Sequence, residues 1–139
     1  MMRALIDTNV VLDLALQRSP FTETAQQLFD DIEAGKLVGY ITASSTTDIF
    51  YILRKAQQRE KALVFLKGLI QTVTMLDVSA NIVNEALYSD FTDFEDAVQY
   101  YTAMTNGMDA IITRDPQDFT NSRIPVYSPE ELMIIDFQI

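Results

Sequence analysis

Four aspartates, Asp7, Asp48, Asp96 and Asp115, stand where apolar runs end or where helical spacing begins. Asp7 closes the run Arg3–Asp7, and Asp115 follows Ala110–Thr113. Asp48 comes after Leu37–Thr42, close to the start of an amphipathic segment, and Asp96 lies in the first turn of another. Carboxylates brought together without Lys or Arg between them repel strongly, and a bound cation relieves that repulsion. Oxygen-only donors suit Mg²⁺ or Mn²⁺, which keep several waters and accept phosphate oxygens into the shell. Such a site activates water and steadies the leaving oxygen of a phosphodiester. The chain has no histidine and no cysteine. That excludes imidazole bases, serine or cysteine triads and thiolate zinc sites, and leaves carboxylates, hydroxyls, Lys and Arg as the available chemistry.

Each acid also has a purely structural reading. Asp7 can hydrogen-bond the turn Asp7-Thr8-Asn9 and cap the next helix, and Ser45-Thr46-Thr47-Asp48 reads as a capping box. Thr92-Asp93-Phe94-Glu95 reads as a second box, with Asp96 complementing a helix dipole. Asp115-Pro116 and Asp118 suit a turn opening. A capping carboxylate can still ligate a metal, so the two readings coexist.

The elements that must position these acids are legible from periodicity. Strand-length apolar runs occur at Arg3–Asp7, Leu37–Thr42, Val73–Asp77, Ala110–Thr113 and Ile124–Tyr127. Between them lie helical stripes: Phe21, Ala25, Leu28, Phe29 and Ile32; Ile49, Ile52, Leu53 and Ala56; Ala62, Leu63, Leu66, Leu69 and Ile70. Ile82, Ala86 and Leu87 mark a shorter helix, and Phe94, Ala97, Tyr101 and Met104 a longer one. Strands alternating with helices predict an α/β fold, a three-layer α/β/α sandwich around a central, mainly parallel five-stranded sheet. In such a sheet ligands bind at the carboxyl ends of the strands, where crossover helices also begin. All four acids are expected at that edge.

The 139 residues carry no repeat or Pro/Gly-rich linker, and one domain over residues 1–139 is expected. No stretch has the length of a bilayer span or the form of a signal peptide, which points to a cytoplasmic protein with no membrane partner. The net charge is −10, from 10 basic and 20 acidic residues. This charge opposes nucleic-acid binding, since Lys and Arg normally make the phosphate contacts, although acids that hold cations inflate it.

Several segments together resemble the PIN-domain family. Leu5-Ile6-Asp7-Thr8-Asn9-Val10-Val11-Leu12-Asp13 resembles the opening strand and turn of that family, and Ser44-Ser45-Thr46-Thr47-Asp48-Ile49 sits where it keeps a second acid, commonly Glu. Asp93-Phe94-Glu95-Asp96-Ala97-Val98-Gln99 resembles the third motif, and Ala110-Ile111-Ile112-Thr113-Arg114-Asp115 with Asp118-Phe119 the last. The resemblance implies a Mg²⁺- or Mn²⁺-dependent endoribonuclease acting on RNA, single-stranded or tRNA. It also implies, as is frequent in the family, the toxin of a VapBC-type pair with a cognate antitoxin, and a homodimer. Carried onto this chain, it makes Asp7, Asp96 and Asp115 metal ligands and Asp48 a further ligand or water-orienting group. Asn9 and Thr113 would support the site, and Asp118 would be an outer acid.

For the RNA backbone, Lys55 and Arg59 follow Asp48 at spacings of seven and four, roughly one helical face, with Arg54, Lys61 and Arg114 widening the patch. An ordinary solvated helix face is the alternative. Tyr100 and Tyr101 could stack on bases, or serve as core or dimer contacts.

Two other classes of function remain. A phosphatase-like domain would want a second aspartate where Asn9 stands and a late lysine, but Lys67 is the last. A receiver domain would want an acidic pair after the first strand and a lysine after the fifth. The remaining alternative is a binding module on the same fold, regulated by a protein partner and too weak for turnover.

Overall fold

The computed structural model describes residues 1–135. Strands β1 (Arg3–Ile6), β2 (Val38–Thr42), β3 (Thr74–Leu76), β4 (Ala110–Ile112) and β5 (Val126–Tyr127) form one sheet in the order β3-β2-β1-β4-β5. Every pairing is parallel. Helices α1 (Thr8–Ala15), α2 (Thr22–Glu33), α3 (Ser45–Ala56) and α4 (Arg59–Thr72) precede β3. Helices α5 (Ala80–Leu87) and α6 (Phe94–Thr105) link β3 to β4, a 3₁₀ turn (Pro116–Phe119) follows β4, and α7 (Pro129–Met133) follows β5. This is the expected three-layer fold.

Alternation along the strands divides the core. Ala4, Ile6, Ile41, Ala110 and Ile112 face a layer containing α1 to α4 and α7. Leu5, Leu76 and Ile111 face the other side, where α6 supplies Tyr100 and Ala103 and the 3₁₀ turn supplies Phe119. Helix α5 packs on α6 through Ile82, Ala86, Ala97 and Val98. The strands are therefore apolar on both faces, as a covered parallel sheet demands.

Each expected strand is present and is slightly shorter than its apolar run, trimmed at one end or both. Asp7 and Thr113 drop out because they stand past the last ladder residue, at the carboxyl edge. Pro125 lacks the N–H that a strand interior donates, although its carbonyl still accepts from Ile111 N at 3.0 Å. All five predicted helical stripes form helices. Helices α1 and α7 were not among them. Val10, Val11, Leu12 and Asp13 of α1 are all buried, so that helix is enclosed on several sides and shows no stripe.

The chain order places the site. β1, β2 and β3 step outward in one direction, and the chain then crosses back to lay β4 on the other side of β1. The strand order reverses between β1 and β4, and at such a switch point the connections diverge and open a crevice beyond the strand ends. Gly107, at φ +63, adopts the left-handed conformation that ends α6 and turns the chain into β4.

Candidate active site

Asp7 leaves β1 at this crevice and is almost fully buried. Its backbone N–H is bound by the Ile112 carbonyl of β4 at 2.9 Å. Although it occupies the N-cap position of α1, its side chain makes no capping bond. The carboxylate instead accepts from Gln99 Nε2 on Oδ1 at 2.9 Å and from Thr113 Oγ1 on Oδ2 at 2.8 Å. Thr113 Oγ1 also accepts from the Asp115 backbone N–H at 3.2 Å. One hydroxyl thus links the acid after β1 to the start of the loop after β4. Both donors on Asp7 are neutral, which orients the carboxylate without cancelling its charge.

Asp96 sits in the first turn of α6, half-buried, with its backbone N–H donating to Asp93 Oδ1 at 3.0 Å. Asp93 is therefore the N-cap. The predicted box beginning at Thr92 is shifted by one residue, because Asp93 rather than Thr92 presents the oxygen that reaches the free N–H. Burial raises the Asp96 carboxyl to a pKa of about 7, with further upward push from Asp93, Asp7, Asp118 and Glu95. Glu95 is also raised, first by desolvation and then by Asp48, Asp7 and Asp93, while the Thr8 hydroxyl opposes the rise. Thr8 Oγ1 is buried without a well-formed hydrogen bond, so its influence on Glu95 is that of a nearby dipole.

Asp48 is exposed in the first turn of α3. The predicted capping box there does not form. The Ser45, Thr46 and Thr47 hydroxyls donate backward to the carbonyls of Thr42, Ala43 and Ser44, at 2.7, 2.6 and 2.9 Å. Asp48 is left without helix-capping work, and its charge is felt at Glu95. Asp115 is half-buried and opens the 3₁₀ turn without a side-chain cap bond; Gln117 Nε2 lies 3.4 Å from its Oδ1. Asp118, exposed in that turn, is felt at Asp96. Asn9 is exposed in the first turn of α1.

The donor set suits a hard divalent cation. All available atoms are oxygens, and Asp7, Asp48, Asp96 and Asp115 enter no ion pair with Lys or Arg among the described residues. The shell is open, since no three acids among the described residues stand close enough to hold a cation among themselves. Waters and substrate oxygens would have to complete it. A cleft of about 760 Å³ adjoins Asp96, walled by Asp93, Asp118, Gln117, Tyr100 and Arg123 among others.

The basic patch is divided. α3 ends at Ala56 and α4 begins at Arg59, with Gln57 extended between them. Lys55 and Arg59 thus lie on different helices and do not share the single face that their spacing predicts. Lys55 Nζ rests 4.5 Å from the Tyr51 ring centroid. Arg54, Lys55 and Arg59 are exposed. Arg114 is turned away from the patch, pairing with Asp13 at 3.4 Å and covering the Phe21 ring at 4.3 Å. Tyr100 and Tyr101 pack with Phe91 in an aromatic cluster, and Tyr100 is buried.

Sequence reasoning passed over Gln99, Glu95 and Thr8. Gln99 carries a usable signal, since it follows Asp96 by three residues and therefore shares its helix face. Nothing in the spacing singles out Glu95 or Thr8.

The family model described as the PIN domain matches residues 3–117. Ribonuclease VapC1 of Aquifex aeolicus (strain VF5) is 25% identical over 134 residues, spanning 93% of this chain and 92% of that protein. A toxin–antitoxin complex from Klebsiella pneumoniae contains a chain 25% identical, with a TM-score of 0.67, covering 91% of this chain and 97% of that one. DNA-bound VapBC from Salmonella typhimurium gives a TM-score of 0.71 at 16% identity, covering 93% and 99%.

Proposed function

Because the chain belongs to the PIN-domain family, we propose that it is a Mg²⁺- or Mn²⁺-dependent endoribonuclease, the toxin of a toxin–antitoxin pair. The observation that carries this reading is the crowding at Asp96. Its carboxyl is pushed up by burial and by four neighbouring acids, and among the described residues no Lys or Arg forms an ion pair with it. A divalent cation would lower that carboxyl again while polarising water and phosphate oxygens for hydrolysis. Asp7, Asp96, Asp115 and Asp48 would share it in part through bound waters, since no three acids among the described residues stand close enough to ligate it together.

The chain's own groups have distinct tasks in this reading. Gln99 and Thr113 each hold one oxygen of Asp7 and fix the carboxylate's orientation. Glu95, which feels the charge of Asp48, would with Asp48 orient a water and receive its proton. Arg54, Lys55 and Arg59, exposed at the junction of α3 and α4, bind the RNA backbone in spite of the overall charge. The relatives described as a ribonuclease and as toxin–antitoxin complexes support RNA as substrate and an antitoxin as partner. A homodimer is the expected assembly, testable by light scattering.

The test is cleavage of mixed single-stranded RNA and of tRNA by pure protein with Mn²⁺, beside Asp96→Asn. Cutting that stops with EDTA and in the variant supports the proposal. Equal cutting by both proteins points to a contaminant. Mn²⁺ binding without cutting of any RNA would reduce the chain to a binding module.

A further inference from the structure

Arg114 is the chain neighbour of Asp115 and follows Thr113, the residue hydrogen-bonded to Asp7. A guanidinium so placed is a ready partner for those carboxylates, because its planar fork matches carboxylate geometry. It is engaged elsewhere. Its Nη1 lies 3.4 Å from Oδ1 of Asp13, on α1, and its Cζ lies 4.3 Å from the centroid of the Phe21 ring. The Asp13 side chain is 2% exposed and Arg114's is 24% exposed. Arg18 reaches the same Asp13 oxygen at 3.7 Å. Burial raises the Asp13 carboxyl, the two guanidiniums oppose that rise, and the charge of Asp7 reinforces it, so cluster and crevice lie within electrostatic range.

We propose that Asp13 and Phe21 are positioning residues that sequester Arg114 from the acidic crevice, leaving Asp7 and Asp115 free for a divalent cation. The inference rests on the cation-binding reading above. Without the carboxylate and the aromatic shelf, the guanidinium turns toward Asp7 and Asp115 and competes there as an internal cation. An ion pair that merely fastens α1 to the loop after β4 makes a different prediction. In that case, deleting Arg114 as well as Asp13 brings no recovery.

The experiment is an Mn²⁺ titration followed by the EPR signal of the free ion, on wild type, Asp13→Asn, Arg114→Met and the double variant. Asp13→Asn is expected to weaken binding by about tenfold, the scale of one unit charge brought beside a surface site. The double variant and Arg114→Met are expected to bind within about twofold of wild type. Wild-type affinity in Asp13→Asn overturns the proposal, and so does a double variant as weak as the single. Should Asp13→Asn fail to fold, Phe21→Leu carries the test. Its affinity must fall and must recover with Arg114→Met, and an unchanged affinity overturns the idea. No Mn²⁺ binding by folded wild type overturns the cation reading itself, and this inference with it.

Discussion

Asp7 and Asp96 carry the same side chain in different surroundings. Asp7 accepts two neutral hydrogen bonds, whereas Asp96 is desolvated beside four acids. Gln99→Met keeps the volume of the buried side chain but removes the donor to Asp7 Oδ1. The expected cost is about 1–3 kcal/mol in urea melts, the usual penalty for stripping a hydrogen bond from a buried charged group. Mn²⁺ affinity should fall as well, because Asp7 is no longer held. For Asp96 the sign follows from linkage. Folded Asp96 keeps its proton up to about pH 7, whereas unfolded aspartate releases it near 3.8. Between these values the folded state binds the extra proton, so the contribution to metal-free stability falls as pH rises and levels off above 7. Asp96→Asn removes this loss. Metal-free melts from pH 4 to 8 should show the variant gaining on wild type up to pH 7, by about 1 kcal/mol once solvent screening of a half-buried group is allowed for. With Mn²⁺ the wild type should gain more than the variant. Equal metal shifts in both would remove Asp96 from the site.

At the scale of elements, β2 lies closely under α2 and against the residue that ends α4. Gly39 in β2 permits this approach, since a Cβ there would stand 2.7 Å from Ile32 Cδ1, 3.1 Å from Ile6 Cδ1 and 3.2 Å from Val73 Cγ1. The nearest atom is the end of a flexible side chain and can move, but the other two must also give. Gly39→Ala should therefore destabilise the fold by about 1–3 kcal/mol, the range for overpacking a core. Chemical denaturation measures it, and an unchanged midpoint would mean that the α2 layer yields freely. Element boundaries also decide which charges cooperate. The break between Ala56 and Arg59 separates two cations that one continuous helix would have aligned.

For the whole molecule, the net charge of −10 and the crowded carboxyl edge act together. Without divalent cations, raising NaCl from about 0.05 to about 0.5 M should raise Tm, because screening weakens repulsion among the acids. Millimolar Mn²⁺ should raise Tm further at constant ionic strength, because it binds the folded edge and is not merely a screen. Equal shifts from Mn²⁺ and from NaCl of matched ionic strength would deny a specific cation site. Among the described residues no helix is long and apolar enough to cross a membrane.

The sequence by itself determined the layers of this protein. Strand runs and helical stripes are local patterns, set by which faces must be apolar, and Asp7 and Asp115 are read directly as the residues that follow two such runs. α1 escaped the stripes because Val10, Val11, Leu12 and Asp13 are buried in succession, and a run of consecutive buried residues shows no helical spacing. The capping boxes misled for a related reason: Ser45, Thr46 and Thr47 can turn their hydroxyls back to preceding carbonyls as readily as forward to free N–H groups, and only local geometry decides. Tertiary structure alone decided the partners. Gln99 meets Asp7 across 92 residues of chain, and Arg114 meets Asp13 instead of the patch its charge suggested. The first pairing arises where the chain crosses back between β3 and β4, and the second where the loop after β4 meets α1. They depend on side-chain directions that only the packed sheet defines, whereas periodicity records only which face is turned inward.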